Sequence, residues 1–393
     1  MIDQKLLKEL EQLKSPKGFL KAGHPYYLRL FGRDSMIAAW ELLDFDPNIA
    51  KATLLILAKL QGKKVSKKSE EEPGKILHEH YEEGFKQKLW TFLKTPFILK
   101  PLLLIAYLFW KFPYYGAIDG AGLWINLLYE YYQKTKDKKL VEKVWPNLLR
   151  ALEWTFQYGD KDKDGFIEYK RKNPVGLFHQ AWKDALLIYI KPPVAMVEVQ
   201  AYYYRAYKVA LELAKEINRE ESLEKFNLKQ KAEELKEKFN RLFWWEEENY
   251  FYFALNGKKK PVKIITSNPG QCIYFEILDD DKREKVVQRL FQDDLWTPYG
   301  IRCHSPKSPY FRYYGYAQGG IWPHDNWFIY LGLKKYGYQK EAERIKNAIL
   351  GVWKKLGYMP EFYAEKQGRL SVPKRSCYPQ AFSTGAIIYF LTH

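Results

Sequence analysis

Six carboxylates lie where aromatic rings and hydrogen-bonding groups crowd together. They are Asp34 in "FGRDS", Glu79 in "EEPGKILHEH", Asp119 in "YYGAIDGAG", Asp184 in "HQAWKDA", Asp325 in "IWPHDN" and Glu361 in "GYMPEFY". The sequence contains no serine-nucleophile elbow, phosphate-binding loop or dinucleotide fingerprint. Carboxylates among rings suit acid–base work on a hydroxyl-rich ligand. Glycoside hydrolysis needs two of them, one protonated to help the leaving oxygen depart and one ionised to activate water or attack carbon. A ring such as Trp182, two residues before Asp184, lifts a carboxyl pKa toward that of a working acid. Each group also has a plainer reading. Asp34 beside Arg33, and Asp325, can cap the helices that follow them, and Glu361 follows a proline in a loop.

The elements that must position these groups read as helices, with little sustained alternation. Helical spacing runs through about 3–13, 34–44, 47–61, 118–134, 138–158, 193–216, 221–242, 268–278, 281–292, 319–336, 338–354 and 378–391. The stretch "GLFHQAWKDALLIY", 176–189, also reads as the opening of a helix with an apolar face. Short polar turns such as "DFDPN" and "LDDDKR" join many neighbours, which implies antiparallel pairs. Between the pairs run long aromatic-rich loops. Stacked hairpins with that asymmetry predict an all-α closed toroid of about twelve helices, its long loops gathered into a funnel. Nothing resembling a linker divides the chain, so 1–393 reads as one domain, with an apolar insertion at about 82–112.

Composition narrows the partners. The formal charge is +17, but the basic residues are spread along the chain and no nucleic-acid motif accompanies them, so nucleic acid is not the expected partner. The 13 Trp, 31 Tyr and 23 Phe supply flat rings that suit sugars. Cys272, Cys303 and Cys377 make neither a disulfide framework nor a metal knuckle. "DKDKDG", 160–165, begins like a calcium loop, but Arg171 stands where the bidentate Glu belongs, so a tight turn is expected. The two His of "HEH", 78–80, do not share a helix face. No metal or cofactor is predicted. The charged start "MIDQKLLKELEQLKS" lacks a signal-peptide core, which predicts a cytoplasmic protein. Within 95–113 the uninterrupted apolar run is 101–110, about half a membrane span. A buried helix or an oligomer contact is preferred there over an interfacial membrane helix.

Taken together, "LFGRDSM", "EEPGKILHE", "YYGAIDGAGLWINLLYEYY", "DKDGFIEY", "GLFHQAWKD", "PVAMVEVQAYYYRA", "GGIWPHDN" and "PQAFSTGA", in this order, resemble the amylo-α-1,6-glucosidase domain of glycogen-debranching enzymes, one of the six-hairpin glycosidases. The resemblance runs from about Phe19 to His393. It implies an (α/α)6 toroid and an inverting mechanism, with Asp184 as general acid and Glu361 as general base. It places Arg33 and Asp34 on the terminal sugar's hydroxyls, and Trp322, His324, Asp325, Glu79 and Asp119 around the cleft. The start of the 176–189 stretch then becomes a pocket wall, with Gln180 and Lys183 toward hydroxyls, Trp182 as a stacking surface, and Ala185–Tyr189 as an apolar anchor. His179 and Ala181 depart from the family's N-Q-G-W pattern. The leading expectation is removal of glucose from α-linked oligosaccharides, including α-1,6 branches. A second is hydrolysis of small anionic glycosides such as glucosylglycerate or mannosylglycerate. A third, of another class, is a non-catalytic sugar-binding or membrane-associated protein.

Overall fold

The computed structural model describes residues 2–82, 92–93, 97–101, 104, 111–186 and 188–393. Among them are twelve α-helices: α1 (Gln4–Leu13), α2 (Gly32–Glu41), α3 (Pro47–Lys59), α4 (Gly120–Thr135), α5 (Lys138–Trp154), α6 (Val197–Glu216), α7 (Leu228–Leu242), α8 (Asn268–Tyr274), α9 (Asp280–Leu290), α10 (Pro323–Lys335), α11 (Gln339–Leu356) and α12 (Ala381–Thr392).

Burial sorts these helices into two kinds. Along α10, 10 of 13 residues are buried, so the helix is enclosed all round. Along α11 only Ala342, Ile345, Ala348, Ile349 and Val352 are buried, one stripe at helical spacing. The even-numbered helices follow the first pattern and the odd-numbered ones the second, α5 being the most enclosed of the outer set. Each even helix packs on the next, α2 on α4 and so on through α12, which returns to α2. The result is an (α/α)6 toroid, an inner ring of six helices inside an outer ring of six. The last hairpin is made from opposite ends of the chain, α12 inside and α1 outside. Glu9 of α1 accepts hydrogen bonds from Tyr378 and Thr384, each at 2.8 Å, and ties the two together.

In the five hairpins of consecutive helices, the connection from inner to outer helix is shorter than the loop that precedes the next inner helix. Local chemistry sets these boundaries. Asp46, followed by Pro47, caps α3 through the Asn48 amide, and Asp137 caps α5 through Leu140. Gly357 ends α11 at φ 71°, in the left-handed region. All six long loops therefore end on the N-termini of inner helices. Strands are two or three residues long, and the four-stranded sheet Glu168–Tyr169, Val194–Met196, Ala254–Leu255 and Pro261–Val262 pins two of the loops together.

The described residues of 176–189 are not helical. Two of the carbonyls have partners outside any helical ladder: that of Gln180 accepts from the Ile118 amide at 2.8 Å, and that of Ile188 is bonded by the His179 ring at 2.8 Å. Leu186 and Ile188 are buried, but Tyr189 is 72% exposed, so the anchor is shorter than expected; residue 187 lies outside the described residues. The insertion at about 82–112 also lies largely outside them. Of its described side chains, Phe97 and Ile98 are 88% and 82% exposed, so a buried helix does not describe those two positions. No helix among the described residues is long and apolar enough to cross a membrane.

Candidate active site

The strand Leu30–Phe31 leads into α2 and pairs antiparallel with Glu79–His80. Gly32 makes the crossing possible, since a Cβ there would stand 2.2 Å from the Leu77 carbonyl oxygen. Arg33, the second residue of α2, is thereby fixed at the ring's end. Its Nε donates to Asp119 Oδ2 at 2.6 Å and its Nη1 to Asp184 Oδ2 at 3.1 Å. Asp119 stands immediately before α4, so one guanidinium joins two inner-helix N-termini to the 176–186 loop. Glu79 is held separately by Arg29, whose Nε and Nη2 lie 2.9 and 2.8 Å from Glu79 Oε2. Asp34 accepts from Gln380 Nε2 at 3.1 Å, linking the starts of α2 and α12.

Glu361 forms the other wall. The Tyr316 hydroxyl donates to its Oε1, and the Cys377 amide donates to its Oε2 at 3.0 Å. A chain of rings connects the two walls. Trp182 meets Trp322 edge-on at 5.9 Å, and Trp322 stacks on Phe362, next to Glu361, at 5.1 Å. His324 packs against Trp182 at 5.1 Å and Phe382 at 4.4 Å. Buried polar atoms of this assembly without a protein partner among the described residues include Arg33 Nη2, Asp119 Oδ1, Gln180 Nε2, Trp182 Nε1, His324 Nδ1, Asp325 Oδ2 and Gln380 Oε1. Donors and acceptors left over in a ring-lined site match what a sugar offers.

Electrostatics separates the carboxyls by what opposes their burial. Burial pushes Asp184 up to about 6 against Arg33, with Asp119 and Glu79 adding to the rise. Burial pushes Asp34 up to about 6, opposed by Arg33 and helped by Asp184. Burial pushes Glu361 up to about 7, opposed by the Tyr316 and Cys377 hydrogen bonds and helped by Asp34. The charges of Asp184 and Glu361 both act on Tyr27 and on Tyr316 and disfavour ionisation of each phenol. Burial, with Arg33 and Lys183 nearby, pushes His324 down to about 3, so it is neutral.

Two of the expected ligand contacts, Lys183 and Asp325, are engaged with the scaffold. Lys183 is buried, and its ammonium donates to Asn268, to the Cys303 carbonyl at 2.5 Å and to Ser267 at 3.4 Å. All three of its hydrogens are thus committed to the start of α8 and the loop beside it. Asp325, fully buried in the first turn of α10, accepts from Gln271 Nε2 at 2.5 Å and joins α10 to α8. The unexpected His179 has a similar task. Its Nε2 lies 2.8 Å from the Ile188 carbonyl, which can only accept, so Nε2 carries the proton and Nδ1 accepts from the Tyr169 hydroxyl at 2.5 Å. Sequence reasoning missed Tyr27, Tyr316, Gln380 and Glu198. Glu198 opens α6 fully buried, and burial pushes it up to about 7.

The loop "DKDKDG" turns tightly, Asp160 Oδ2 accepting from the Gly165 amide at 3.0 Å. Oxygens of Asp160, Asp162, Asp164 and Glu168 lie within 4.8 Å of one another. The Lys259 ammonium sits among them, 3.0 Å from Asp162, 2.8 Å from Asp164 and against Glu168.

A closed ring of helix hairpins with carboxyls gathered at its loop end defines the class, a six-hairpin glycoside hydrolase. Residues 27–378 match the mannosylglycerate hydrolase MGH1-like glycoside hydrolase domain, and the chain belongs to that family. It is 24% identical over 165 residues to a mannosylglycerate hydrolase of Rubrobacter radiotolerans, which covers 40% of this chain and 36% of the relative. It is 34% identical over 98 residues to mannosylglycerate hydrolase MGH2 of Selaginella moellendorffii, covering 24% of this chain and 20% of the relative. These alignments span little more than a third of the curated relatives' length at most. Among solved structures, a GH63 mannosylglycerate hydrolase of Thermus thermophilus in complex with Tris aligns over 99% of both chains, with TM-score 0.72 and 16% identity. At that identity the likeness speaks for the fold. The toroid and the glycoside hydrolase class agree with the sequence reading; the family is the MGH1-like one rather than the debranching one.

Proposed function

We propose that this protein hydrolyses small anionic glycosides of the glycosylglycerate class, mannosylglycerate first, with inversion at the anomeric carbon. The carrying observation is that Asp184 and Glu361 stand at the two ends of one chain of rings, both pushed toward neutral-pH titration. Asp184 donates its proton to the glycosidic oxygen as the bond to the anomeric carbon breaks. Glu361 takes a proton from a water whose oxygen attacks that carbon from the opposite face. The sugar and the acid leave, and the two carboxyls recover their protonation by exchange with solvent. Arg33, Asp34 and Asp119 hold sugar hydroxyls.

The working state needs the proton on Asp184 and none on Glu361. Substrate supplies that bias. Asp184 is 20% exposed, so a seated sugar strips water from it and raises its pKa further, whereas Glu361 at 1% has little solvent left to lose. The anionic aglycone is supported by the family match, by relatives that are mannosylglycerate hydrolases, and by the Thermus thermophilus protein, which has been solved in complex with Tris and D-glycerate. Debranching has no such support and is an arm of the test. Turnover would be measured on mannosylglycerate, glucosylglycerate, isomaltose, panose and a branched dextrin. Activity confined to the last three would overturn the substrate class. A first-formed sugar that keeps the substrate's anomeric configuration would overturn the acid and base roles.

A further inference from the structure

Glu361 is held by neutral donors alone, the Tyr316 hydroxyl on one oxygen and the Cys377 amide on the other. Tyr316 is itself tightly placed. Trp322 meets its ring edge-on at 4.6 Å and Phe362 at 5.0 Å. The Arg375 guanidinium lies over the same ring, 5.5 Å from its centre. Arg375 is exposed at the rim, with Nη2 donating to the Tyr314 carbonyl at 3.2 Å. A cation against a phenol ring draws electron density from the hydroxyl and makes it a stronger donor.

We infer that Tyr316, backed by Arg375, is the positioning residue that keeps Glu361 ionised and aimed, an inference that rests on Glu361 being the general base. Of the groups facing this pair, Asp34 from α2 acts against ionisation of Glu361, and the Cys377 thiol favours it by hydrogen bonding. Tyr27 and Asp184 act on the Tyr316 hydroxyl and disfavour its own ionisation, so the phenol keeps its proton and remains the donor. Burial raises Glu361, and the Tyr316 bond heads what opposes that rise. Deleting the hydroxyl removes stabilisation from the ionised form only, so Glu361 stays protonated to higher pH. The ratio of variant to wild-type activity returns toward one where alkali ionises the base in both.

The test uses the full chain with mannosylglycerate as substrate, across the pH range. Tyr316→Phe should lower kcat about tenfold near pH ~6 and converge on the wild type by about pH 9, with KM within about threefold, as a shift of about one unit in one group requires. Arg375→Met, an exposed change that leaves packing intact, should move the profile the same way by about two- to threefold near pH ~6. A uniform loss at every pH, or an unshifted profile in both variants, overturns the inference. If Tyr316→Phe does not fold, the Arg375→Met profile decides alone. Glu361→Ala separates the underlying assumption. Retained turnover there removes the base role itself. Loss of turnover, with azide giving a glycosyl azide of inverted configuration, keeps the base role and leaves the Tyr316 profile to stand or fall by itself.

Discussion

Glu72 and Glu361 are both glutamates sealed from solvent, 2% and 1% exposed, yet they titrate at opposite extremes. Burial raises Glu72 too, but Lys75, Lys161 and Lys172 overwhelm it and hold the carboxyl down at about 2. Lys172 approaches to 2.6 Å, Lys75 to 3.7 Å and Lys161 to 4.0 Å, and the Trp154 indole donates at 2.7 Å. Glu361 meets only neutral donors, from Tyr316 and Cys377, and the like charge of Asp34, and it ends at about 7. Asp184 stands between the extremes, with one guanidinium that it shares with Asp119. Burial is common to all three. The cations facing each group decide whether its carboxyl is held ionised or pushed up toward neutral pH.

The largest test of this contrast is chemical. Asp184→Asn and Glu361→Gln should each lower kcat by about 10³-fold or more, with substrate affinity by calorimetry within a few-fold of wild type. Neither should lower the melting temperature, because each removes a carboxyl that burial disfavours. Glu72→Gln should do the reverse. It leaves three ammonium groups around a neutral amide and should cost about 3 kcal/mol in chemical denaturation, with kcat/KM nearly unchanged. A stable Glu72→Gln with lost activity would erase the distinction.

Stability against pH should sharpen it. The lowered Glu72 contributes stability that is present above its unfolded pKa and is lost as pH falls from about 4 toward 2. The raised Glu361 contributes stability that is present below its unfolded pKa and is lost as pH rises from about 4 toward 7. Melting curves of Glu72→Gln should therefore flatten the acid limb, and those of Glu361→Gln the limb toward neutrality. The smallest expected effect is that of Lys161→Met. It removes the most distant of the three cations and should cost less than about 1 kcal/mol.

Much of the frame was legible because it rests on periodicity. All twelve expected helical segments overlap a helix of the ring; the outer helices show their buried stripe at helical spacing, and the short polar turns mark where the inner ones end. The stretch at 176–189 misled for the same reason. Leu186 and Ile188 satisfy an apolar pattern, but the Gln180 carbonyl is bonded to the distant Ile118 amide and the Ile188 carbonyl to the His179 ring, which apolar spacing does not encode. Site carboxyls stood out through their neighbours in sequence. What each meets in space did not: Lys183 reads as a free cation until Asn268 and Cys303, far along the chain, appear beside it. Tyr316 was hidden among other aromatics in "FRYYGYAQ", with no spacing to single it out. The motif strings carried the superfamily, while the choice of family needed comparison across residues 27–378.

The hairpin formed by α12 and α1 has a consequence for the order of assembly. Asp34 is synthesised long before its partner Gln380 and before the Cys377 amide that meets Glu361. Contacts of such sequence separation form late and slowly. A nascent chain can stack its first hairpins on the ribosome, yet the site is not assembled until α12 has been made. Completion of the site is thereby tied to closure of the ring, and a chain that stalls short of α12 is an incomplete arc.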